Sequence, residues 1–324
     1  YCLWMPQLTA KKYQLTFIAG VTMKVDDINF KFFHINKWDN GEFKGDAIST
    51  TSELVKISSD GNLGLEEGQK FERGGIYRFT VDVTKGNTKA VLTVEKVGKV
   101  DLPAPDIFFG YDKMEVTDTD IYKSDQAFTQ GQMITVTGID NLNEWWIDPD
   151  FFEKQSDGAL KFLQINGDYR VTANAVLKYF SVMALKDGKP AKLQDDGTGA
   201  IWAIGKGIGK PSVASSDVGW EPGKALCLAQ VAPKKYQLTL KAGDSLKTCG
   251  EWEAFSGKFF NQNDWGDEFK NYASNTLVEQ LKLTDSGNLE MQDNKAFEEG
   301  AVYRFTIDVT NGNANADLKV EKIN

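Results

Sequence analysis

Tyr77-Arg78-Phe79-Thr80-Val81-Asp82-Val83-Thr84 alternates large apolar side chains with polar ones. A period of two sends Tyr77, Phe79, Val81 and Val83 to one face of an extended chain and Arg78, Thr80 and Asp82 to the other, so the stretch reads as a strand with one buried and one wet face. Lys85-Gly86-Asn87 then supplies a turn, because Gly and Asn tolerate positive φ. Ala90, Leu92 and Val94 alternate on the return strand.

The same text occurs twice. Tyr303-Arg304-Phe305-Thr306-Ile307-Asp308-Val309-Thr310 repeats the strand, Asn311-Gly312-Asn313 the turn, and Ala316, Leu318 and Val320 the return. Working outward, Lys11-Lys12-Tyr13-Gln14-Leu15-Thr16 matches Lys234-Lys235-Tyr236-Gln237-Leu238-Thr239. Lys31-Phe32-Phe33 matches Lys258-Phe259-Phe260, Trp38 matches Trp265, and Gly61-Asn62-Leu63 matches Gly287-Asn288-Leu289. That many matches in order, at a near-constant spacing, define an internal repeat.

Short strands punctuated by turns indicate an all-β chain of tandem small β-sandwich domains, Ig-like in kind. The repeat places copy 1 at residues 1–98 and copy 2 at 198–324. A different unit, read as another small β-sandwich, fills 99–197, opening on the linker Leu102-Pro103-Ala104-Pro105, with strands expected at 133–138, 145–147, 160–165, 169–172 and 179–185. Copy 2 also carries Ile201-Trp202-Ala203-Ile204-Gly205 upstream, followed by Gly219-Trp220. Copy 1 has no counterpart of that stretch and is expected to lack its first strand.

Composition narrows function. The net charge is -9, with both signs mixed along the chain, which disfavours nucleic acid as a partner. No apolar run is long enough for a membrane-spanning helix. There are only four arginines, and His34 is the only histidine, so a nucleophile–histidine system has one possible base. His34 follows Phe32-Phe33 where the other copy has Asn261, which suits a structural or surface role. Zinc would need more nitrogen and sulfur ligands than this chain holds. Gly205-Lys206-Gly207-Ile208-Gly209-Lys210 meets neither the dinucleotide fingerprint nor the phosphate-loop pattern and reads as a glycine turn. The expectation is a non-enzyme with no cofactor and no metal.

Cys2, Cys227 and Cys249 form no disulfide framework. Cys2 sits a few residues before the Tyr-Gln-Leu-Thr strand, as Cys227 does. It reads either as a lipidated cysteine or as a small apolar strand residue, and the repeat favours the strand reading, with all three thiols free.

The tryptophans carry the functional signal. Trp38 lies in Asn36-Lys37-Trp38-Asp39-Asn40-Gly41-Glu42-Phe43, and Trp265 in Asn263-Asp264-Trp265-Gly266-Asp267-Glu268-Phe269. Each is a polar loop around one flat apolar side chain. Sugars present CH faces rimmed by hydroxyls, which such loops complement. Stacking is worth roughly 1–3 kcal/mol and each polar contact about 0.5–1.5 kcal/mol. The competing reading makes Trp38 and Trp265 loop anchors packed on the core. Trp252 belongs to a loop the first copy lacks, and such loops often carry function. Trp4 faces Ala229 in the other copy and is expected to be exposed. Trp145 and Trp146 are adjacent, so one should be core and the other wet. The candidate ligand-binding residues are Trp252, Trp265, Asp264, Asp267, Lys270, Trp38, Asp39, Asn40 and Trp4.

Trp202-Ala203-Ile204-Gly205, Gly219-Trp220, Tyr236-Gln237-Leu238-Thr239, Lys258-Phe259-Phe260, Trp265 and Gly300-Ala301-Val302-Tyr303-Arg304-Phe305 together resemble the carbohydrate-binding domains of the SusE/SusF-type outer-membrane lipoproteins of Bacteroidota. The resemblance covers both copies. It implies a carbohydrate-binding-module-like sandwich on a lipid-anchored cell-surface protein of a polysaccharide-utilisation system, without catalysis. It further implies a neutral polysaccharide or oligosaccharide as ligand and an outer-membrane glycan importer complex as partner. The anchoring cysteine would lie on a segment outside this sequence. Two rival readings stand beside it: a structural or adhesive surface protein using the sandwiches for protein contacts, and a hydrolase, for which sequence offers no test.

Overall fold

The computed structural model describes residues 3–36, 41–102, 105–118, 120–248 and 255–324. The chain forms two compact units, 1–104 and 105–324. Strands dominate both, and helix is confined to single short turns. The all-β reading holds.

In the first unit the quoted strand is the centre of a five-stranded sheet. The order is Gln7–Thr9, Lys12–Ile18, Gly75–Asp82, Ala90–Lys99, Ile48–Thr50, the last pair parallel. Alternation does what the sequence requires: Tyr77, Phe79 and Val81 are buried, and Leu92 and Val94 face them from the return strand. A small second layer, Val55–Ile57 with Leu63–Leu65, closes the core, and Phe30 bridges to Leu63.

The second copy repeats this sheet. Ala229–Ala232, Lys235–Lys241, Val302–Asp308, Asp317–Lys322 and Ser274–Thr276 lie in the same order, again ending on a parallel pair. Tyr13 faces Val81 in one ladder as Tyr236 faces Ile307 in the other. The second layer is fuller here, in the order Asp217–Gly219, Trp202–Gly209, Ser256–Phe260, Leu289–Met291, Leu281–Leu283. Trp202–Gly209 has no counterpart among the described residues of copy 1.

Two expectations need correction. The ladder aligns Gln7 opposite Tyr13 with Gln230 opposite Tyr236. Counting back, Cys227 corresponds to Trp4, not to Cys2, and Ala229 corresponds to Pro6. Cys227 is a buried free cysteine in strand Leu226–Cys227; Cys2 and Cys249 lie outside the described residues. The glycine-rich stretch 205–210 is also not a turn, since Trp202–Gly209 is a strand. Its glycines serve close packing. A Cβ on Gly205 would fall 2.2 Å from the Ser256 carbonyl oxygen, so the two strands approach there only because no side chain intervenes.

The central segment folds on the same plan as the copies. Glu115–Asp118, Ile121–Phe128, Gly167–Asn174, Tyr179–Lys186 and Trp146–Ile147 form a sheet of equivalent order, with its edge strand again parallel. The expected 133–138 strand divides into Met133–Ile134 and Val136–Thr137, which join different small sheets. Trp145 is buried and stacked on Phe180 at 4.7 Å, and Trp146 is half-buried.

Within the second unit the central segment and copy 2 share one continuous apolar core. Polar groups tie them as well. Trp202 Nε1–H donates to the Ala191 carbonyl at 2.9 Å, and the Tyr236 hydroxyl to that of Gly197 at 3.1 Å. Lys210 Nζ is buried between Asp148 and Asp150, at 2.9 Å and 2.8 Å. Asp150 also accepts from Gln237 Nε2, the Thr239 hydroxyl and the Thr239 amide at 2.6–2.7 Å. Burial pushes the Asp150 carboxyl up, but Lys210, Gln237 and Thr239 outweigh it and hold it below the ordinary range. Burial lifts Asp148 above that range despite Lys210, with the Asp150 charge adding to the rise.

Candidate functional site

The outer face of the second layer in copy 2 is set by its register. Trp202 pairs with Phe260 and Ile204 with Lys258, and cross-strand partners share a face. Phe260 and Lys258, two residues apart, therefore project together. The chain then turns through Asn261–Asp267 and returns, with the Asn261 amide on the Asp267 carbonyl and Phe260 bridged to Glu268. Asp267 adopts positive φ, +50°, a conformation that Asp and Asn tolerate better than most residues.

This turn lays Trp265 over Phe260, edge to face at 5.8 Å, and leaves Trp265 51% exposed. Trp265 is thus not a buried anchor. Its ring is nearly parallel to that of Trp220, with centroids 6.4 Å apart and planes 19° apart. Trp220 follows strand Asp217–Gly219, whose Gly219 pairs with Gly205. The result is a stacked pair of near-parallel indoles, Trp265 half exposed and Trp220 partly buried. The sequence reading missed Trp220 as a site residue, although it flagged Gly219-Trp220 as a motif.

Polar groups surround the pair. Asp264 Oδ1 accepts from the Trp265 amide at 2.7 Å, and Gln262 Nε2 donates to the Trp265 carbonyl at 2.6 Å. Lys192 Nζ reaches Gln262 Oε1 at 2.6 Å. Glu268 Oε1 lies 3.6 Å from the nearly buried Lys258 and 3.5 Å from the exposed Lys270. Burial pushes the Glu268 carboxyl up, but the two lysines outweigh it and keep it below the ordinary range. Lys31, Glu42 and Lys44 repeat this cluster in copy 1, at 4.0 and 3.4 Å. A repeated Glu-Phe after each tryptophan loop was the sequence signal for it.

The structure therefore brings together Trp265, Asp264, Asp267 and Lys270 on one loop and its return. Asp264 and Asp267 shape the loop, and Lys270 balances Glu268. Trp4 is 82% exposed but belongs to the first unit. Trp252, Trp38, Asp39 and Asn40 lie outside the described residues. An open cleft of about 630 Å³ lies elsewhere in copy 2, lined by Ser212, Asp217, Asp244, Lys247, Thr248 and Glu299 among others. Thr248 is the last described residue before the segment that carries Trp252. Among the described residues, no group of three or more His, Cys, Asp or Glu side chains is placed to hold a metal ion.

Fold and site together define a protein of repeated β-sandwiches with a stacked indole pair in copy 2. The family model DUF5121, a domain of unknown function, matches residues 1–84 and 196–310, more than half of the chain, and DUF5125, also a domain of unknown function, matches 99–193. The chain belongs to the DUF5121 family, with two copies of that domain flanking one DUF5125 domain. No curated protein and no solved structure matches it.

Proposed function

We propose that this is a non-catalytic cell-surface protein that captures a neutral polysaccharide or oligosaccharide on the Trp220–Trp265 platform of its second DUF5121 domain. The observation that carries the reading is the half-exposed Trp265 ring lying nearly parallel to Trp220. Two flat rings of like orientation suit the CH faces of a sugar chain, and the Gln262, Asp264, Lys270 and Glu268 groups around them suit its hydroxyls. The acidic chain has no strong positive field to favour an anionic ligand. The resemblance to SusE/SusF-type lipoproteins extends the proposal to a lipid-anchored protein of the outer membrane, acting beside a glycan importer.

A glycan array followed by calorimetry tests this directly. The parent should bind at least one neutral glycan with micromolar-to-millimolar affinity, as a shallow site of this size allows. Trp265→Ala and Trp220→Ala should each weaken it. A parent that binds no neutral glycan, or two variants that keep full affinity, would remove the platform from the account.

A further inference from the structure

We propose that the open edge of copy 1 beside residues 30–32 captures an extended peptide of the Trp202–Gly209 type by β-strand addition. This goes beyond glycan capture and does not depend on it. It follows from what that strand does in copy 2 and from how the same positions stand in copy 1.

In copy 2, Trp202–Gly209 pairs along one edge with Ser256–Phe260, Ile204 lying opposite Lys258. Along the other edge it pairs with Leu226–Cys227, Trp202 lying opposite Cys227. Further on, the Gly207 carbonyl accepts the Lys247 amide at 2.9 Å. Towards the core, Ala203 and Ile208 adjoin Leu238, Leu240 and Phe259 around one small internal gap, and all five are buried.

Each of these contact sets is open in copy 1. Leu3 and Trp4, at the positions of Leu226 and Cys227, are both largely exposed. Leu15 and Phe17 are half-buried where Leu238 and Leu240 are buried. Phe30 exchanges both its backbone bonds with Leu63, and the Phe32 carbonyl accepts the Phe43 amide. Successive residues of an extended chain point these groups to opposite edges, so the N–H and C=O of Lys31, the counterpart of Lys258, face the other way. No described residue bonds to either. The Ala19–Met23 bridge matches Ala242–Leu246, which makes Lys24 the counterpart of Lys247, and no described residue accepts the Lys24 amide. Backbone groups without partners along the rim of a half-open apolar core are the template that strand addition uses.

The occupant must be small where the strands pinch together and apolar over Leu15 and Phe17. Trp202–Gly209 meets both demands through Ala203, Gly205 and Ile208. Phe30 stands where copy 2 has Gly257, and it does not close the edge. A Cβ on Gly257 would come no nearer than 3.4 Å to the strand opposite, at the Ile204 carbonyl, and the Phe30 ring packs inward on Phe17, Phe32 and Phe79. The DUF5121 match in copy 2 begins at residue 196 and takes in this strand, so the occupant's sequence type is the family's own.

The test titrates a synthetic peptide of residues 200–210 into the full chain, whose copy 2 already holds its own strand. Hydrogen exchange read by NMR should show the Lys31 and Lys24 amides exchanging fast in the chain alone and protected with the peptide, while Lys258, already paired, is protected throughout. Ile204→Pro in the peptide removes the donor that would face Lys31 and should weaken binding at least about tenfold. Trp4→Ala in the protein should lower the affinity about two- to tenfold and leave the melting temperature of the chain alone unchanged, because the ring is exposed there. Exchange at Lys31 and Lys24 that a millimolar excess of peptide does not slow, or equal binding of the proline peptide, overturns the proposal. So does protection of Lys31 without peptide: in a dimer by sedimentation it would assign the edge to a second copy, and in a monomer to a segment of the chain itself.

Discussion

Lys210 Nζ sits 2.8 Å from Asp150 Oδ2 in a site where both side chains are almost fully buried, and this pair joins two domains that differ in sequence. The lysine comes from the end of strand Trp202–Gly209 and the aspartate from the central domain. Two carboxylates share that one ammonium. Removing the cation leaves them buried and uncompensated, which typically costs about 3–5 kcal/mol. Lys210→Met should therefore destabilise the second unit by that order in chemical denaturation and leave the first unit unchanged. Restoring neutrality with Asp148→Asn and Asp150→Asn in the same chain should recover part of the loss.

The two aspartates should behave oppositely. Asp150 is held below the ordinary carboxylate range, so its contribution is fully present above the unfolded value, about 3.9, and is lost as pH falls through the lowered one. Asp148 is lifted above that range; its contribution is present below the unfolded value and is lost as pH rises through the raised one. Asp148→Asn should thus match or exceed the parent's stability at pH 7, and Asp150→Asn should fall below it. Denaturation midpoints of the two variants between pH 3 and pH 7 decide the matter, and a reversed order would show the assignment to be wrong.

The repeat was legible because strand alternation and turn glycines are local properties, and Tyr77 to Thr84 announces both. The central segment read as another small sandwich, but the sheet order it shares with the two copies was not legible. Its strand Ile121–Phe128 places Ser124 at an inward position, where Gln126 Nε2 donates to the serine hydroxyl, so the apolar alternation that marks a half-buried strand is broken. Trp265 was visible as an aromatic in a polar loop. Its neighbour Trp220 was not, because they meet only through the pairing of Gly205 with Gly219 on one side and Gly257 on the other. Lys210 was hidden among glycines for the same reason, since its partners lie in another domain.

Cys227 should be inert in the native protein. Its thiol is fully enclosed, and burial pushes its pKa up to about 12, so almost no thiolate exists near neutral pH. Alkylation with iodoacetamide at pH 8, mapped by mass spectrometry, should leave Cys227 unmodified until denaturant is added. Rapid labelling in the folded protein would contradict the buried placement.

Gly205→Ala should be costly although it adds one methyl group. The new Cβ would lie 2.2 Å from the Ser256 carbonyl oxygen and 2.4 Å from Gly257 Cα, both backbone atoms. Strands Trp202–Gly209 and Ser256–Phe260 would have to separate, at about 1–3 kcal/mol or more for an overpacked site. Gly223→Ala, where nothing lies within 4 Å, is the control and should be near neutral. Thermal melts of the two variants give the comparison.

Trp265→Ala separates platform from scaffold. The ring is half exposed and rests on Phe260 by its edge, so its removal opens no enclosed cavity. The stability loss should stay below the roughly 3–5 kcal/mol of a buried tryptophan. Binding should suffer more, because a sugar stacked on the ring loses that apolar contact, worth about 1–3 kcal/mol, or roughly 5- to 150-fold in Kd. Trp220→Ala should weaken the same glycan. If both rings hold one chain, the double variant should depart from additivity, since neighbouring contacts on one ligand are coupled. Calorimetric titration of the parent, both single variants and the double variant reads this out, with melting temperatures confirming that each remains folded. Independent, additive losses would place the two rings on separate ligands, and undiminished binding in all variants would place the glycan elsewhere on the protein.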